Sequence, residues 1–126
     1  MFYPVFLNLK DRRVVVIGGG DVSERKVVSL ACSGAIITVI SPDVTPRIAA
    51  MAEARSIELQ KRKYSHGDCA GASLVFCATD DGEINRSVFE EATAAGIFVN
   101  TADQPELCDF IMPAVFNRGE LTAAIS

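Results

Sequence analysis

The sequence feature that most constrains the fold is an apolar run that ends in consecutive glycines. Residues 14–17 read Val-Val-Val-Ile and are followed by Gly18, Gly19 and Gly20. Apolar, mostly β-branched residues without a polar break are typical of a strand buried on both faces. A stretch compatible with a helix follows over residues 24–33, and the face that carries Val27, Leu30 and Ala31 is predicted to pack against a sheet. A strand, a glycine turn and a helix in this order predict a site for the phosphates of a nucleotide.

The residues of the glycine loop have separate predicted roles. Gly18 takes the tight turn, and Gly20 lets the backbone approach a pyrophosphate at the N-terminus of the helix. Ser23 occupies the third position of the G-x-G-x-x-G pattern, where Gly or Ala is usual, and it is small enough for close packing of helix on strand. The pattern alone is weak evidence, but the strand before it and the helix after it support the interpretation.

Apolar and amphipathic segments alternate along the rest of the chain. The predicted strands cover residues 36–40, 57–60, 74–78 and 97–99, with a final strand pair over 110–116 and 121–125. Helices are predicted to begin at Thr45-Pro46 and at Asp80 or Asp81, the latter burying Ile84, Val88, Ala92 and Ala95. Residues 4–9 could pair with the first strand through a turn at 10–12.

This alternation predicts an α/β fold. We expect a doubly wound, mostly parallel sheet of the Rossmann type with a C-terminal strand pair. Right-handed crossovers cover both faces of such a sheet and leave ligands at the carboxyl ends of the strands.

Composition limits the classes of protein that are compatible with the chain. With 126 residues and 49% apolar content, it is long enough for one domain with its own core. Twelve Lys and Arg against sixteen Asp and Glu give a net charge of -4, which argues against a nucleic-acid partner. No apolar run approaches the ~20 residues that span a bilayer, and the first residues lack a signal-peptide pattern. We therefore expect a cytoplasmic protein without a membrane partner.

The cysteines and the histidine do not suggest a metal site. Cys32, Cys69, Cys77 and Cys108 form no C-x-x-C pair, so neither a zinc site nor a disulfide framework is expected. Cys32 and Cys77 are predicted to be buried as small apolar residues. His66, the only histidine, lies in a polar segment and is expected at the surface.

The loop after the second strand is the predicted site of the adenosine ribose. Ser41 stands where dinucleotide folds usually carry Asp or Glu, and Pro42 and Asp43 follow it. Ser41 or Asp43 could bind the ribose; alternatively, Asp43 and Thr45 could serve as caps of the next helix. The nearest arginine is Arg47, outside this corner, which favours NAD over NADP.

The loops after the fourth and fifth strands would face the other half of a dinucleotide. Thr79 could line the path of the nicotinamide ribose, whereas Asp80 and Asp81 suit helix caps. Asp103 follows the fifth strand. It could accept the proton released when NAD⁺ oxidises a carbon substrate, or it could be a turn carboxylate before Pro105.

Several strings of the sequence together carry a resemblance to a known family. They are Y-P-V-F-L-N-L, V-V-V-I-G-G-G-D-V-S-E-R-K, V-I-S-P, C-A-T-D-D and V-N-T-A-D-Q-P-E-L-C-D-F-I-M-P-A. They resemble the N-terminal domain of siroheme synthase, the precorrin-2 dehydrogenase and sirohydrochlorin ferrochelatase family. The resemblance implies NAD-dependent oxidation of precorrin-2 to sirohydrochlorin in siroheme biosynthesis and, in bifunctional members, insertion of Fe²⁺.

The resemblance also implies roles for individual residues. The cofactor contacts of the family fall on Asp21 and Val22 in the glycine loop and on Pro42 and Asp43 after the second strand. The aspartate implicated in both chemical steps falls on Asp103.

The substrate and the assembly follow from the same resemblance. Precorrin-2 carries many carboxylates, so its binding needs cationic or amide donors, for which Asn100 and Arg118 are candidates. Family members continue beyond Ser126 into a region that forms a homodimer and roofs the tetrapyrrole cleft. Residues 1–126 are therefore expected to be the NAD-binding domain without that region.

Two other functions are compatible with a glycine loop. A regulatory domain that senses a dinucleotide without catalysis would share the loop and the sheet but would not need Asp103. A methyltransferase fits poorly, because the acidic residue directly after the second strand is missing.

Overall fold

A computed structural model describes residues 1–112, 114–118 and 121–125 of the chain. Within these ranges the elements are β1 (Arg13–Ile17), α1 (Asp21–Ala31), β2 (Ile36–Ile40), α2 (Pro46–Glu53), β3 (Glu58–Gln60), β4 (Leu74–Cys77), α3 (Gly82–Ala94), β5 (Phe98–Thr101), a 3-10 turn (Pro105–Leu107), β6 (Ala114–Arg118) and β7 (Leu121–Ile125).

Strands β1 to β5 form one parallel sheet in the order β3-β2-β1-β4-β5. From β1 the chain proceeds outward through β2 and β3 on one side and returns to β4 and β5 on the other. This reversal beside β1 is the topological switch point, where doubly wound sheets bind their ligands. The predicted α/β fold with a doubly wound parallel sheet is confirmed.

The central strand, β1, contains the apolar run of residues 14–17. Val14, Val15 and Val16 are fully buried, because helices cover both faces of the sheet. Val14 and Val16 belong to the apolar cluster beneath α1 and α2. Val15 and Ile17 belong to the opposite cluster, which α3 and the segment 61–73 cover.

The N-terminal segment differs from its prediction. Residues 4–9 form no strand, although a turn does occur at Lys10 and Asp11. The reason is topological: β2 and β4 already occupy the two edges of β1, so no edge remains for another strand. Val5, Phe6 and Leu7 of this segment are exposed, as are Phe2 and Tyr3 before it.

Three predictions of burial at the ends of helices were wrong. Ala31, Cys32 and Ala95 are all exposed. Ala31 ends α1 and Cys32 is its C-cap, while Ala95 is the C-cap of α3. Residues at these positions have left the buried face, which consists of Val27 and Leu30 in α1 and of Val88 and Ala92 in α3.

The predicted C-terminal strand pair is present with shifted bounds. β6 and β7 pair antiparallel, with Ala114 opposite Ile125 and Arg118 opposite Leu121. Phe110 lies before β6 rather than in it, and its ring packs edge-on against Phe76 with the centroids 5.4 Å apart. In the ranges that the structure describes, no helix has the length and apolar character needed to cross a membrane.

Candidate functional site

A cleft of about 680 Å³ lies at the carboxyl edge of the sheet. The described residues that line it come from the ends of β1 and β2, from the loops after β1 to β4 and from the starts of α1 and α3: residues 17–22, 40–45, 63–64, 78–81 and Ile84. The cleft therefore occupies the switch point of the sheet, where the topology predicts a ligand.

Gly18 and Gly19 hold the loops around the cleft together. Gly18 has a φ of +120°, and a Cβ on it would lie 2.3 Å from the carbonyl oxygen of Ala78 after β4. A Cβ on Gly19 would lie 2.2 Å from the carbonyl oxygen of Asp43 after β2. The carbonyl of Gly19 also accepts a hydrogen bond of 2.9 Å from the amide of Thr45. Any other residue at these two positions would push the loops apart.

Gly20 has a different environment. It is the N-cap of α1 with a φ of -85°, and no atom lies within 4 Å of the position that a Cβ would take. The first amides of a helix have no intrahelical acceptor, and Gly20 has no side chain that could accept from those of α1. Exposed amides at a helix N-terminus attract anions. This end of the cleft therefore fits the pyrophosphate of a dinucleotide.

Other residues of the first turn of α1 complete this end. Asp21 and Val22 line the cleft, as the resemblance implied for the cofactor contacts. Ser23 is fully buried, with its hydroxyl oxygen 3.0 Å from the Cβ position of Gly18. This close approach explains why the third position of the motif needs a small side chain.

The loop after β2 shows which residue caps the next helix. Thr45 is the N-cap of α2, and its hydroxyl accepts a hydrogen bond of 3.2 Å from the amide of Ile48. Asp43 is exposed and lines the cleft together with Pro42. Ser41 is buried, and its hydroxyl donates to the carbonyl of Asp43 over 2.7 Å. That proton shapes the loop and is not offered to a ligand.

The loop after β4 is arranged in a similar way. Asp81, one of the two residues proposed for the cap, is the N-cap of α3 and accepts hydrogen bonds from the amides of Glu83 and Ile84. Thr79 lines the cleft, and its hydroxyl donates to Oδ1 of Asn85 over 2.6 Å. Asp80 is exposed at the same edge.

Asn85 is a residue of the site region that the sequence analysis missed. It is 6% exposed, and its amide nitrogen donates to the carbonyl of Thr79 and to Oε1 of Gln104 over 3.1 and 3.0 Å. It therefore ties the loop after β4 to the loop after β5. The available signal was its spacing, since Asn85, Val88 and Ala92 share one face of α3.

Asp103 occupies the loop that Asn85 helps to hold. Its φ is +60°, a left-handed conformation that Asp tolerates better than most residues, and it is exposed. The amide of Ala102 donates to the carbonyl of Cys77 over 2.9 Å, which fixes the loop beside the end of β4. Asp103 is not among the described residues that line the 680 Å³ cleft; it follows β5, which lies next to β4 in the sheet.

Asn100 and Arg118 are the two residues predicted to bind substrate carboxylates, and the structure describes the side chain of Asn100. The side-chain amide of Asn100 donates to the carbonyl of Phe110 over 2.8 Å, so one of its donors is used within the chain. Arg118 belongs to β6, but its side chain lies outside the described residues.

Lys26, on α1, is a further cation near this region. Its ammonium lies 5.9 Å from the ring centroid of Phe76. Burial, and then the neighbouring Arg25, lower the pKa of Lys26.

Potential metal ligands are dispersed. Among the described residues, His, Cys, Asp and Glu form no group of three that could hold a metal ion. Cys69 and Cys77 are buried, and burial raises the pKa of each thiol to about 12. Cys77 was predicted to be buried, and that prediction is confirmed.

Comparisons with known proteins agree with this geometry. A family model described as "Putative NAD(P)-binding" matches residues 5–114. Siroheme synthase from Methylobacillus flagellatus is 44% identical over 124 residues, which are 98% of this chain and 26% of that protein. Siroheme synthase from Thioalkalivibrio sulfidiphilus is 44% identical over 125 residues, which are 99% of this chain and 26% of that protein.

A solved structure gives the same result. The structure of SirC, precorrin-2 dehydrogenase, matches 99% of this chain and 61% of its own with a TM-score of 0.84 and 31% sequence identity. The chain thus spans about a quarter of the length of the siroheme synthases that it matches. The predicted resemblance to siroheme synthase is confirmed, and the chain belongs to the NAD(P)-binding family.

Proposed function

We propose that this chain binds NAD at the carboxyl edge of its sheet and that the protein containing it oxidises precorrin-2 to sirohydrochlorin. The observation that carries the proposal is the uncapped N-terminus of α1 behind Gly20. It occurs in a fold that resembles a precorrin-2 dehydrogenase over 99% of the chain.

The orientation of the dinucleotide follows from the loops. Its pyrophosphate would lie at Gly20, Asp21 and Val22, on the first turn of α1. Its adenosine half would lie at Pro42 and Asp43, because dinucleotide folds hold the adenosine ribose after the second strand. Ser41 would support this corner from below, through its bond to the carbonyl of Asp43.

The nicotinamide half would then extend toward Thr79 and the loop after β5. Bound NAD⁺ supplies a hydride acceptor, and oxidation of a carbon also releases a proton to a base. Asp103 is the carboxylate that we assign to this role. Its exposed position and left-handed backbone support the assignment, because unusual backbone conformations concentrate at functional sites.

The remaining partners belong to the same proposal. Asn100 retains a second amide proton for a substrate carboxylate, and Arg118 is the cationic candidate. Iron insertion into sirohydrochlorin would use Fe²⁺ as a co-substrate, with Asp103 accepting protons that leave the pyrroles. Assembly of the full-length protein into a homodimer and its location in the cytoplasm are further parts of the proposal.

The test uses the full-length protein under anaerobic conditions with precorrin-2 and NAD⁺. We expect NADH and sirohydrochlorin to form in equal amounts. A protein that binds NAD but forms no NADH would instead be the regulatory dinucleotide sensor. For iron insertion, the rate at which Fe²⁺ enters purified sirohydrochlorin is compared with and without protein; equal rates would remove that activity from the proposal.

A further inference from the structure

A buried carboxylate outside the proposed reaction site anchors the loop after β3. The Glu91 side chain, on α3, is 8% exposed. Its Oε1 accepts hydrogen bonds from the hydroxyl of Tyr64 and from the amide of Gly67, the latter over 3.0 Å. Its Oε2 accepts one of 2.9 Å from the amide of Cys69. All of these donors belong to the segment 61–73.

The arrangement is more specific than packing requires. A charged group is costly to bury unless hydrogen bonds replace its water, and Glu91 obtains those bonds only if the segment adopts this one conformation. Within the segment, Arg62 forms an ion pair of 2.8 Å with Asp68, which joins its start to the turn that follows. Glu91 therefore fixes the position of the Tyr64 side chain.

Tyr64 lies between two clefts. It lines the 680 Å³ cleft at the carboxyl edge and also a second cleft of about 510 Å³ along α3. The partners of its hydroxyl, Glu91 and Ser87, belong to the second cleft. Burial, and then the hydrogen bond to Glu91, raise the pKa of Tyr64 above its usual range, so the phenol keeps its proton and remains a donor.

The position of Tyr64 in the first cleft identifies the part of the ligand that it would meet. Tyr64 follows β3, the neighbour of β2, and the loop after β2 is the predicted site of the adenosine half. Pro42, in the loop after β2, lines the same cleft and adds apolar surface beside Tyr64, as does Ile84 at the start of α3. A purine is flat and stacks favourably on an aromatic ring.

We propose that Tyr64 forms the adenine-side wall of the cleft and that Glu91 is the positioning residue that holds it there. The inference rests on the proposed binding of NAD, but not on the oxidation of precorrin-2. It predicts that the segment after β3 recognises the adenosine half of the dinucleotide and leaves the nicotinamide half untouched.

The composition of the chain makes a direct observation possible. Tyr3 and Tyr64 are the only tyrosines of residues 1–126. When this chain alone is labelled with 3-fluorotyrosine and carries Tyr3→Phe, fluorine NMR therefore reports on residue 64 alone. We expect AMP to shift this resonance and nicotinamide mononucleotide at the same concentration to leave it in place. A resonance that is unaffected by AMP would contradict the proposal.

Binding measurements on variants separate the wall from its anchor. Tyr64→Ala is expected to weaken AMP binding about tenfold or more, since base–aromatic stacking has that magnitude. Affinity for nicotinamide mononucleotide, measured in competition with NADH, should stay unchanged. Glu91→Gln retains the size of the side chain but loses acceptors, and it should weaken AMP binding less than Tyr64→Ala does. Glu90→Gln, an exposed neighbour on the same helix, is the matched control and should bind as the unmodified protein does.

The outcomes distinguish this inference from the proposed function. Equal weakening of AMP and nicotinamide mononucleotide by Tyr64→Ala would mean a general structural role and would overturn the inference. AMP affinity within twofold of the unmodified protein would also overturn it. A protein that binds AMP as expected but forms no NADH from precorrin-2 would leave the inference intact and remove the dehydrogenase. Absence of any binding of AMP or NAD would reject both.

Discussion

At the scale of single residues, Gly18 and Gly20 belong to one loop and serve opposite purposes. Gly18 lies against the backbone of the loop after β4, so its missing side chain serves the fold. Gly20 faces open space at the helix N-terminus, so its missing side chain leaves room for the proposed pyrophosphate. The sequence motif shows both residues as the same letter. Only the atoms around each glycine show which one the fold requires and which one leaves room for the proposed ligand.

Substitution of Gly18 by Ala should destabilise the protein. The φ of +120° is unfavourable for any residue with a side chain, and the new Cβ would lie 2.3 Å from the carbonyl oxygen of Ala78. We expect the free energy of unfolding to fall by about 2 kcal/mol or more, as for other changes at incompatible backbone positions. Urea unfolding measures this loss, and an unchanged midpoint would contradict the close approach of the two loops.

Substitution of Gly20 by Ala should have the opposite profile. Its φ of -85° suits alanine and nothing contacts the added Cβ, so the free energy of unfolding should change by less than about 0.5 kcal/mol. The methyl group would occupy space needed by the pyrophosphate, and NAD affinity should fall about tenfold or more. Calorimetric titration measures the affinity. Unchanged binding of NAD would place the phosphates elsewhere.

Asn85 should matter for both stability and rate. Asn85→Ala removes three hydrogen bonds that the buried Asn85 side chain makes with half-buried groups of Thr79 and Gln104, which costs about 1–3 kcal/mol. Because the two loops are then no longer tied, we also expect slower NADH formation at saturating NAD. Arg86→Ala, on the exposed side of the same helix, is the control. A full loss of stability with an unchanged rate would limit Asn85 to a structural role.

The buried thiols predict a pH dependence. Burial raises the pKa of Cys69 and of Cys77 to about 12, whereas a thiol in the unfolded chain has a pKa of about 8.5. Above about pH 8.5 the unfolded state loses protons that the folded state keeps, so stability falls as the pH rises toward 12. Each thiol contributes at most about 1.4 kcal/mol per pH unit.

Urea unfolding at about pH 7, 9 and 10, below and above the ordinary thiol pKa of about 8.5, tests this dependence. A Cys69→Ala, Cys77→Ala double variant should show a flatter decline than the unmodified chain. A parallel decline in both proteins would assign the effect to other groups.

At the scale of elements, the predictions succeeded where one segment carried its own signal. β2 has the predicted bounds, and α2 begins with the predicted Thr45-Pro46 cap. The apolar segment 4–9 was predicted to pair and does not, because pairing depends on which edges of β1 remain free. Ala31 and Ala95 were misplaced because alanine is compatible with either side of a helix and marks no face.

The site was predictable to a similar extent. The glycine loop and the corners after β2 and β4 could be located, because each follows a recognisable strand. Asn85, Tyr64 and Glu91 were not identified as site residues. Their partners are distant in sequence: Tyr64 and Glu91 are 27 positions apart. Only the packing of α3 on the sheet brings them together.

At the scale of the whole molecule, the order of the strands brings these parts to one edge. β2 and β3 lie on one side of β1, and β4 and β5 lie on the other. The loops after β1, β2 and β4 therefore surround one cleft, and the loop after β5 lies beside it. The oxidant would be held by the first three loops and the proton acceptor would come from the last. This division of roles is the central claim of the account.

The measurement that tests this claim most directly compares Asp103→Ala with the unmodified full-length protein. NAD affinity is measured by titration, and NADH formation from precorrin-2 is measured in a single anaerobic turnover. We expect NAD affinity within about twofold, since Asp103 lies outside the cleft, and NADH formation reduced by about a hundredfold or more, as for other general bases. Equal loss of NAD binding and NADH formation would show that Asp103 supports the structure, and unchanged NADH formation would place the base on another residue.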